Sequence, residues 1–73
     1  MTETVPRSVP RQRDAQRTRD DILRVATAEF ASNGFAGARV DQIAELTQTT
    51  KRMIYYYFGS KEGLYLRVME AAY

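Results

Sequence analysis

Three phenols and two cations lie within seven consecutive positions of this 73-residue chain. Lys51 and Arg52 are followed, after two intervening residues, by Tyr55, Tyr56 and Tyr57. Successive residues of a helix point about 100° apart, so three neighbouring tyrosines cannot share one buried face. Ammonium and guanidinium groups neutralise phosphates, and phenol hydroxyls donate hydrogen bonds to phosphate oxygens. The stretch therefore indicates a surface that meets an anionic partner.

A helical projection of this stretch separates two faces. The apolar face is expected to be buried and holds Met53, Ile54, Tyr57 and Phe58, of which Tyr57 is expected to be at least half core. The opposite face is polar and aromatic and holds Arg52, Tyr55 and Tyr56, with Lys51 at its edge. Thr50 is a suitable N-cap, and the free amides of a helix start also bind phosphate. Arg52 could instead reach a guanine edge, a contact worth ~1–3 kcal/mol. The alternative is that Tyr55 and Tyr56 pack on a neighbouring segment.

The composition removes several kinds of chemistry. The chain has no cysteine and no histidine, which excludes disulfides, zinc fingers, thiol chemistry and imidazole catalysis. Its carboxylates have no glycine-rich phosphate loop beside them, so we expect neither an enzyme nor a cofactor. Asp41 and Glu45 have the spacing of two metal ligands, but a solvated helix face is the far commoner meaning of that spacing.

No apolar run approaches ~18 residues, which predicts no membrane partner and a cytoplasmic setting.

The net charge is only +2, but it is unevenly distributed. Residues 1–19 hold five arginines against two acids, and the acidic stretch that follows separates them from a second basic segment. Two basic segments suit an anionic partner met on one side. Arg11, Arg13 and Arg17 could reach flanking phosphates or an adjacent minor groove. A solvated tail is the alternative.

These groups need helices to position them, and the apolar spacing predicts a first helix over about 14–33. Ile22, Ala26 and Phe30 recur at intervals of four residues, which places them on one face. Gly34 follows the last repeat and suits the positive φ that ends a helix. The preceding residues, 1–12, contain prolines and polar groups and are expected to form a flexible basic arm.

Three further helices are predicted. A short apolar repeat, from Val40 to Leu46, has Asp41 in its first turn, where a carboxylate suits the helix dipole. The third helix runs from Thr50 to about Tyr57, and Gly59 then separates it from a fourth that Ser60 can cap. The fold class is therefore all-α. A helix-turn-helix domain is expected over residues 13–58, and residues 59–73 start a fourth helix that leads to a further domain.

Two stretches, ILRVATAEFASNGFAGARVDQIAEL and IYYYFGSKEGLY, resemble the TetR family of transcriptional repressors. They are similar to its first helix, Gly-Phe/Tyr loop, Val-x-x-Ile-Ala helix, Leu-Tyr-x-x-Phe recognition helix and Ser-Lys-Glu-x-Leu start of helix 4. The resemblance, over roughly 13–70, implies a three-helix homeodomain-like unit joined to a domain that binds a small-molecule effector and forms a homodimer. It also implies a palindromic operator of double-stranded DNA, a ligand-relieved repressor and a nucleoid-associated location.

The resemblance also implies roles for individual residues. Thr50 matches a helix-start residue that binds phosphate, Tyr55 matches a tyrosine that usually contacts DNA, and Tyr57 falls where phosphate is often touched. Lys61 matches a lysine that caps the next helix and commonly grips the DNA backbone. The residues predicted to bind DNA are Arg39, Thr49, Thr50, Lys51, Arg52, Tyr55, Tyr56, Tyr57 and Lys61.

The turn before the third helix departs from the family's usual Ala-Gly-Val-Ser and reads Thr-Gln-Thr-Thr here. If Gln48 takes the positive φ of that glycine, a strain of ~1–2 kcal/mol is expected. Arg52 stands where a glycine is frequent and adds a long cation to the DNA face. Arg39 stands where Thr or Ser often caps the second helix, so we expect weak capping there and an arginine that can contact phosphate.

A protein-interaction module is the alternative function. Aromatic and arginine enrichment also marks interface hot spots, so the tyrosine and arginine face of helix 3 could dock a protein partner. The two hypotheses predict different responses to salt. If the face binds DNA, replacing Lys51 or Arg52 should each lower the salt slope by roughly one unit. If it docks a protein, replacing Tyr56 should dominate and salt should matter little.

Overall fold

The computed structural model describes the backbone of residues 10–72 and the side chains of residues 15–71. This part of the chain forms four helices and no strand: α1 Pro10–Gly37, α2 Val40–Leu46, α3 Lys51–Phe58 and α4 Lys61–Ala72. Helix α1 packs against α2 and α4, and α3 packs against the same two helices. The predicted all-α helix-turn-helix fold with an added fourth helix is confirmed.

Helix α1 begins earlier than the sequence pattern predicted. We expected a flexible arm over residues 1–12, but residues 10–12 already have helical backbone. Proline at the first helical position explains this start, because its fixed φ suits a helix and its missing N–H needs no partner there. Residues 1–9 of the predicted arm, and the side chains of Arg11 and Arg13, lie outside the described residues.

Gly34 interrupts α1 at the predicted position, with φ of 74° and ψ of 174°. One more helical turn follows, in which the amide of Ala38 donates to the carbonyl of Gly34 at 3.0 Å. The turn places the ring of Phe35 6.1 Å from that of Phe30 and 5.2 Å from that of Tyr65, between centroids. The end of α1 is thereby fixed against α4.

The core lies between the four helices and is built from the predicted apolar stripes. Its buried side chains are Ile22, Ala26, Phe30, Ala38, Val40, Ile43, Ala44, Ile54, Phe58, Leu64 and Val68. Leu46 was expected in the stripe of α2, but it is 60% exposed. In projection it lies about 120° from Val40, and therefore off the buried face. None of the described helices combines the length and apolar character that a membrane span needs.

Candidate nucleic-acid interface

The turn between α2 and α3 is a Schellman motif, which closes α2 and aims α3. The amide of Gln48 donates to the carbonyl of Glu45 at 3.2 Å, and the amide of Thr49 donates to that of Ala44 at 2.9 Å. These two bonds define the motif. Gln48 has a φ of 58°, so it takes the positive φ on which the expected strain depends. The hydroxyl of Thr49 lies 2.8 Å from that of Thr47, which ties this half-buried side chain into the turn.

Thr50 caps the start of α3, as predicted. Its Oγ1 accepts a hydrogen bond from the amide of Met53 at 3.0 Å, and the side chain is exposed. A hydroxyl carries a donor as well as acceptor lone pairs, so Thr50 can donate to an oxyanion while it caps the helix. The first amides of α3, at Lys51 and Arg52, have no acceptor within the helix. The helix start therefore offers several donors to one anion.

The buried face of α3 is rotated from the predicted one. Its buried side chains are Ile54 and Phe58, so its centre lies about 50° from the centre predicted with Met53 and Tyr57 included. Met53 is 38% exposed. Tyr55 and Tyr57 flank the buried pair, and both are half-buried against the core. The prediction that Tyr57 is half core is confirmed, whereas the prediction that Tyr55 faces outward is wrong in part.

Three side chains form the exposed ridge of α3, which we define as Lys51, Arg52 and Tyr56. Tyr56 is 77% exposed. Arg52 is exposed and has no ion pair with any described side chain. The ammonium of Lys51 lies 3.1 Å from Oδ1 of Asp41, and both side chains are about half exposed. Arg52 is therefore the cation of the ridge that carries no compensating carboxylate among the described residues.

Helix α1 brings a further cation beside α3. The guanidinium carbon of Arg19 lies 5.5 Å from the ring centroid of Tyr57, in a cation–π contact. The ring of Tyr57 in turn meets that of Tyr56 edge-on, with centroids 5.4 Å apart. From the sequence, Arg19 was recognised only as one of the arginines of the N-terminal basic segment. Its contact with α3 arises from the packing of distant segments, which leaves no local signal.

The start of α2 is held by α1. Arg39 occupies the N-cap position and makes no side-chain cap, as expected for this residue type. Instead Oε2 of Glu29 accepts from the amide of Arg39 at 3.1 Å, and it also accepts from Nδ2 of Asn33 at 3.0 Å. The arginine side chain remains exposed. Glu29 is a positioning residue that the sequence analysis missed.

The cap of α4 is Ser60, whose Oγ accepts from the amide of Gly63 at 2.9 Å. Lys61, which the resemblance gave as the cap, is half-buried, and its ammonium lies 4.9 Å from the ring centroid of Phe35. The lysine therefore lies over the last turn of α1. Its contact with a DNA backbone stays a prediction.

The predicted site residues are distributed over four elements. Residues 50–57 belong to α3 and its cap, Thr49 to the turn, Arg39 to the start of α2, and Lys61 to the start of α4. Asp41 pairs with Lys51. In the described part of the chain, no three carboxylate, thiol or imidazole groups are grouped so that they could hold a metal ion.

Comparisons with known proteins agree with this architecture. The model of the family described as bacterial regulatory proteins, tetR family, matches residues 22–68. The transcriptional repressor NicS of Pseudomonas putida is 51% identical over 63 residues, which cover 86% of this chain and 30% of that protein. The transcriptional repressor SCO4008 of Streptomyces coelicolor is 45% identical over 58 residues, covering 80% of this chain and 30% of that protein.

The transcriptional regulator RutR of Escherichia coli is 42% identical over 59 residues, which cover 81% of this chain and 28% of that protein. The chain thus spans about 30% of the length of the curated relatives that it matches. No solved structure is a significant match. These relatives are regulators of transcription and not enzymes. On the family match and these identities, the chain belongs to the TetR family of bacterial transcriptional regulators.

Proposed function

We propose that this domain binds a palindromic operator by placing α3 in the major groove, and that the regulator containing it acts as a repressor. The observation that carries the proposal is the exposed ridge of α3, on which Arg52 and Tyr56 project away from the buried Ile54 and Phe58. A groove-reading helix needs this division, because one face must anchor it while the other meets the duplex. The names of NicS and SCO4008, both repressors, support the proposed sign of regulation.

In this proposal the start of α3 fixes the position of the domain on the duplex, and the exposed ridge supplies sequence specificity. Thr50 and the first amides of α3 hold one phosphate, and Tyr55 and Tyr57 donate to oxygens at the rim of the groove. Arg52 reaches a guanine edge, since its guanidinium is exposed and has no ion pair in the described part of the chain. Lys51 and Tyr56 complete the contacts of the ridge.

Residues outside α3 contact the flanking backbone in this proposal. Arg39 presents an exposed guanidinium at the start of α2, and Lys61 an ammonium at the start of α4. Thr49 contributes through the turn that aims α3, since its hydroxyl already lies against that of Thr47. Contacts of this kind fix register on the duplex and carry no base preference.

The regulator works as a homodimer in the cytoplasm, associated with the nucleoid. A two-fold dimer places two recognition helices about one turn of DNA apart, ~34 Å, which matches a palindrome. Dimerisation and the binding of a small-molecule effector are proposed for the part of the protein beyond this domain, because the chain covers only about 30% of its relatives.

Selection of bound sequences from a random duplex pool, with the full-length protein, tests the proposal. We expect enrichment of one palindrome whose half-sites lie about one helical turn apart. Recovery of a pool without any shared sequence would contradict it. No observation on the described residues favours the alternative of a protein-docking module, and strong salt dependence of binding to the selected duplex would exclude that alternative.

A further inference from the structure

One cation of the exposed ridge already has an anionic partner within the domain. The ammonium of Lys51, in the first turn of α3, lies 3.1 Å from Oδ1 of Asp41, in the first turn of α2. The side chains are 51% and 58% exposed, so the pair lies at the surface where a duplex would approach. Glu45, one turn further along α2, makes no ion pair with the described residues.

We propose that Asp41 competes with DNA phosphate for Lys51 and thereby lowers the affinity of the domain for duplexes of any sequence. This inference rests on the proposed function, because it concerns the same face of α3. Its effect is sequence-independent, since a phosphate contact carries no base information. Asp41 thus leaves recognition more dependent on base contacts such as that of Arg52.

Competition follows from the charges in either possible geometry. If Lys51 leaves Asp41 to bind a phosphate, the domain loses an ion pair and exposes an uncompensated carboxylate. If the ammonium uses its three donors to hold both groups, the carboxylate of Asp41 is drawn close to the phosphate and repels it. An exposed pair contributes only ~0–1 kcal/mol, so it attenuates DNA binding without preventing it.

The salt dependence of binding carries the signature of this competition. Each cation that neutralises a phosphate releases condensed counterions, at a slope of about 0.9 per contact. A single exposed carboxylate condenses no counterions, so a Lys51–phosphate contact releases counterions from the DNA whether or not Asp41 is present. Removal of the carboxylate therefore leaves the number of released counterions unchanged and removes a competing interaction that salt screens.

The test replaces Asp41 with Asn in the full-length regulator. Dissociation constants are measured by fluorescence anisotropy across a salt series, for the selected operator and for an unrelated duplex of equal length. We expect Asp41→Asn to tighten binding about two- to five-fold on both duplexes. We also expect this gain to shrink as the salt concentration rises, because salt screens the charge of Asp41. Glu45→Gln is the matched control, because it removes one negative charge from the same helix without breaking a pair, and it should change both affinities far less.

A second pair of variants separates this effect from a change in folding. The Asp41 carboxylate also favours the start of α2 through the helix dipole, so its loss can lower stability. The double variant Asp41→Asn with Lys51→Gln shares any such loss but lacks the cation. The double variant should bind DNA more tightly than Lys51→Gln alone by no larger a factor than Glu45→Gln produces in the wild type. Asp41→Ala serves as a second neutral replacement, since alanine has the highest helix propensity.

Two results would overturn the inference. Weaker DNA binding by Asp41→Asn would mean that the carboxylate aims Lys51 at the duplex, and a change equal to that of Glu45→Gln would mean that the pair is irrelevant. In both cases a loss of affinity in Arg52→Ala leaves the proposed function standing. If Arg52→Ala and the wild type bind every duplex equally weakly, the proposed function itself fails.

Discussion

The amide of Thr49 donates to the carbonyl of Ala44 at 2.9 Å, closing the end of α2. Gln48, the residue directly before Thr49, holds a φ of 58°. A side chain with a β-carbon is strained there by ~1–2 kcal/mol, and glycine is the residue that ordinarily occupies this position of the motif. The turn that aims the recognition helix is thus kept at the expense of local backbone strain.

Gln48→Gly should stabilise the domain by about 0.5–1 kcal/mol, measured by urea unfolding. Relief of the strain exceeds the extra freedom that glycine gives the unfolded chain. The side chain is exposed, so no packing is lost. Gln42→Gly is the matched control, since Gln42 lies within α2 and the same change there should destabilise by about 0.5–1 kcal/mol. Equal losses in the two variants would show that Gln48 is unstrained.

Gly63→Ala should destabilise the domain by about 2–3 kcal/mol. A β-carbon at Gly63 would overlap the backbone carbonyl oxygen of Phe58, and backbone atoms move less readily than a side chain. Gly37→Ala is the control, because its β-carbon would meet only Cβ of Asn33, at 3.3 Å. Urea unfolding of both variants checks the difference, and similar stabilities would show that α4 does not pack this closely on the end of α3.

Tyr55 and Tyr56 should respond differently to truncation. Tyr55 packs against the core, so Tyr55→Ala should lower the unfolding free energy by roughly 1–2 kcal/mol. Tyr56 is 77% exposed, so Tyr56→Ala should change it by less than about 0.5 kcal/mol. Tyr55→Phe then isolates the hydroxyl. Unchanged operator affinity in Tyr55→Phe would mean that Tyr55 makes no hydrogen bond to DNA.

Local signals were sufficient for much of the fold. Gly34 could be predicted as a break because few residues tolerate a positive φ, and Thr50 as a cap because its hydroxyl is short enough to reach an amide of the next turn. Both are confirmed. The apolar spacing of Ile22, Ala26 and Phe30 likewise identified the buried face of α1. Each of these predictions depends on neighbours within about one turn of helix.

The other features of the structure depend on which helices pack against each other, and the spacing of apolar residues within one helix does not encode this packing. Tyr55 is more buried and Met53 more exposed than predicted, because packing against the other helices buries a face of α3 rotated from the one that its own apolar residues suggested. The pairing of Lys51 with Asp41 and the contact of Arg19 with Tyr57 join different helices. No pattern within one helix predicts such contacts, although they set the charge of the proposed interface.

The most direct test of the central claim is the operator affinity of Arg52→Ala in the full-length regulator, measured across a salt series. Arg24→Ala is the control, because Arg24 is also exposed but pairs with Asp21 on α1. If Arg52 contacts a base from the ridge, its loss should weaken operator binding about 5- to 100-fold, while Arg24→Ala stays near the wild type. Equal affinity of wild type and Arg52→Ala for the operator at every salt concentration would contradict the account.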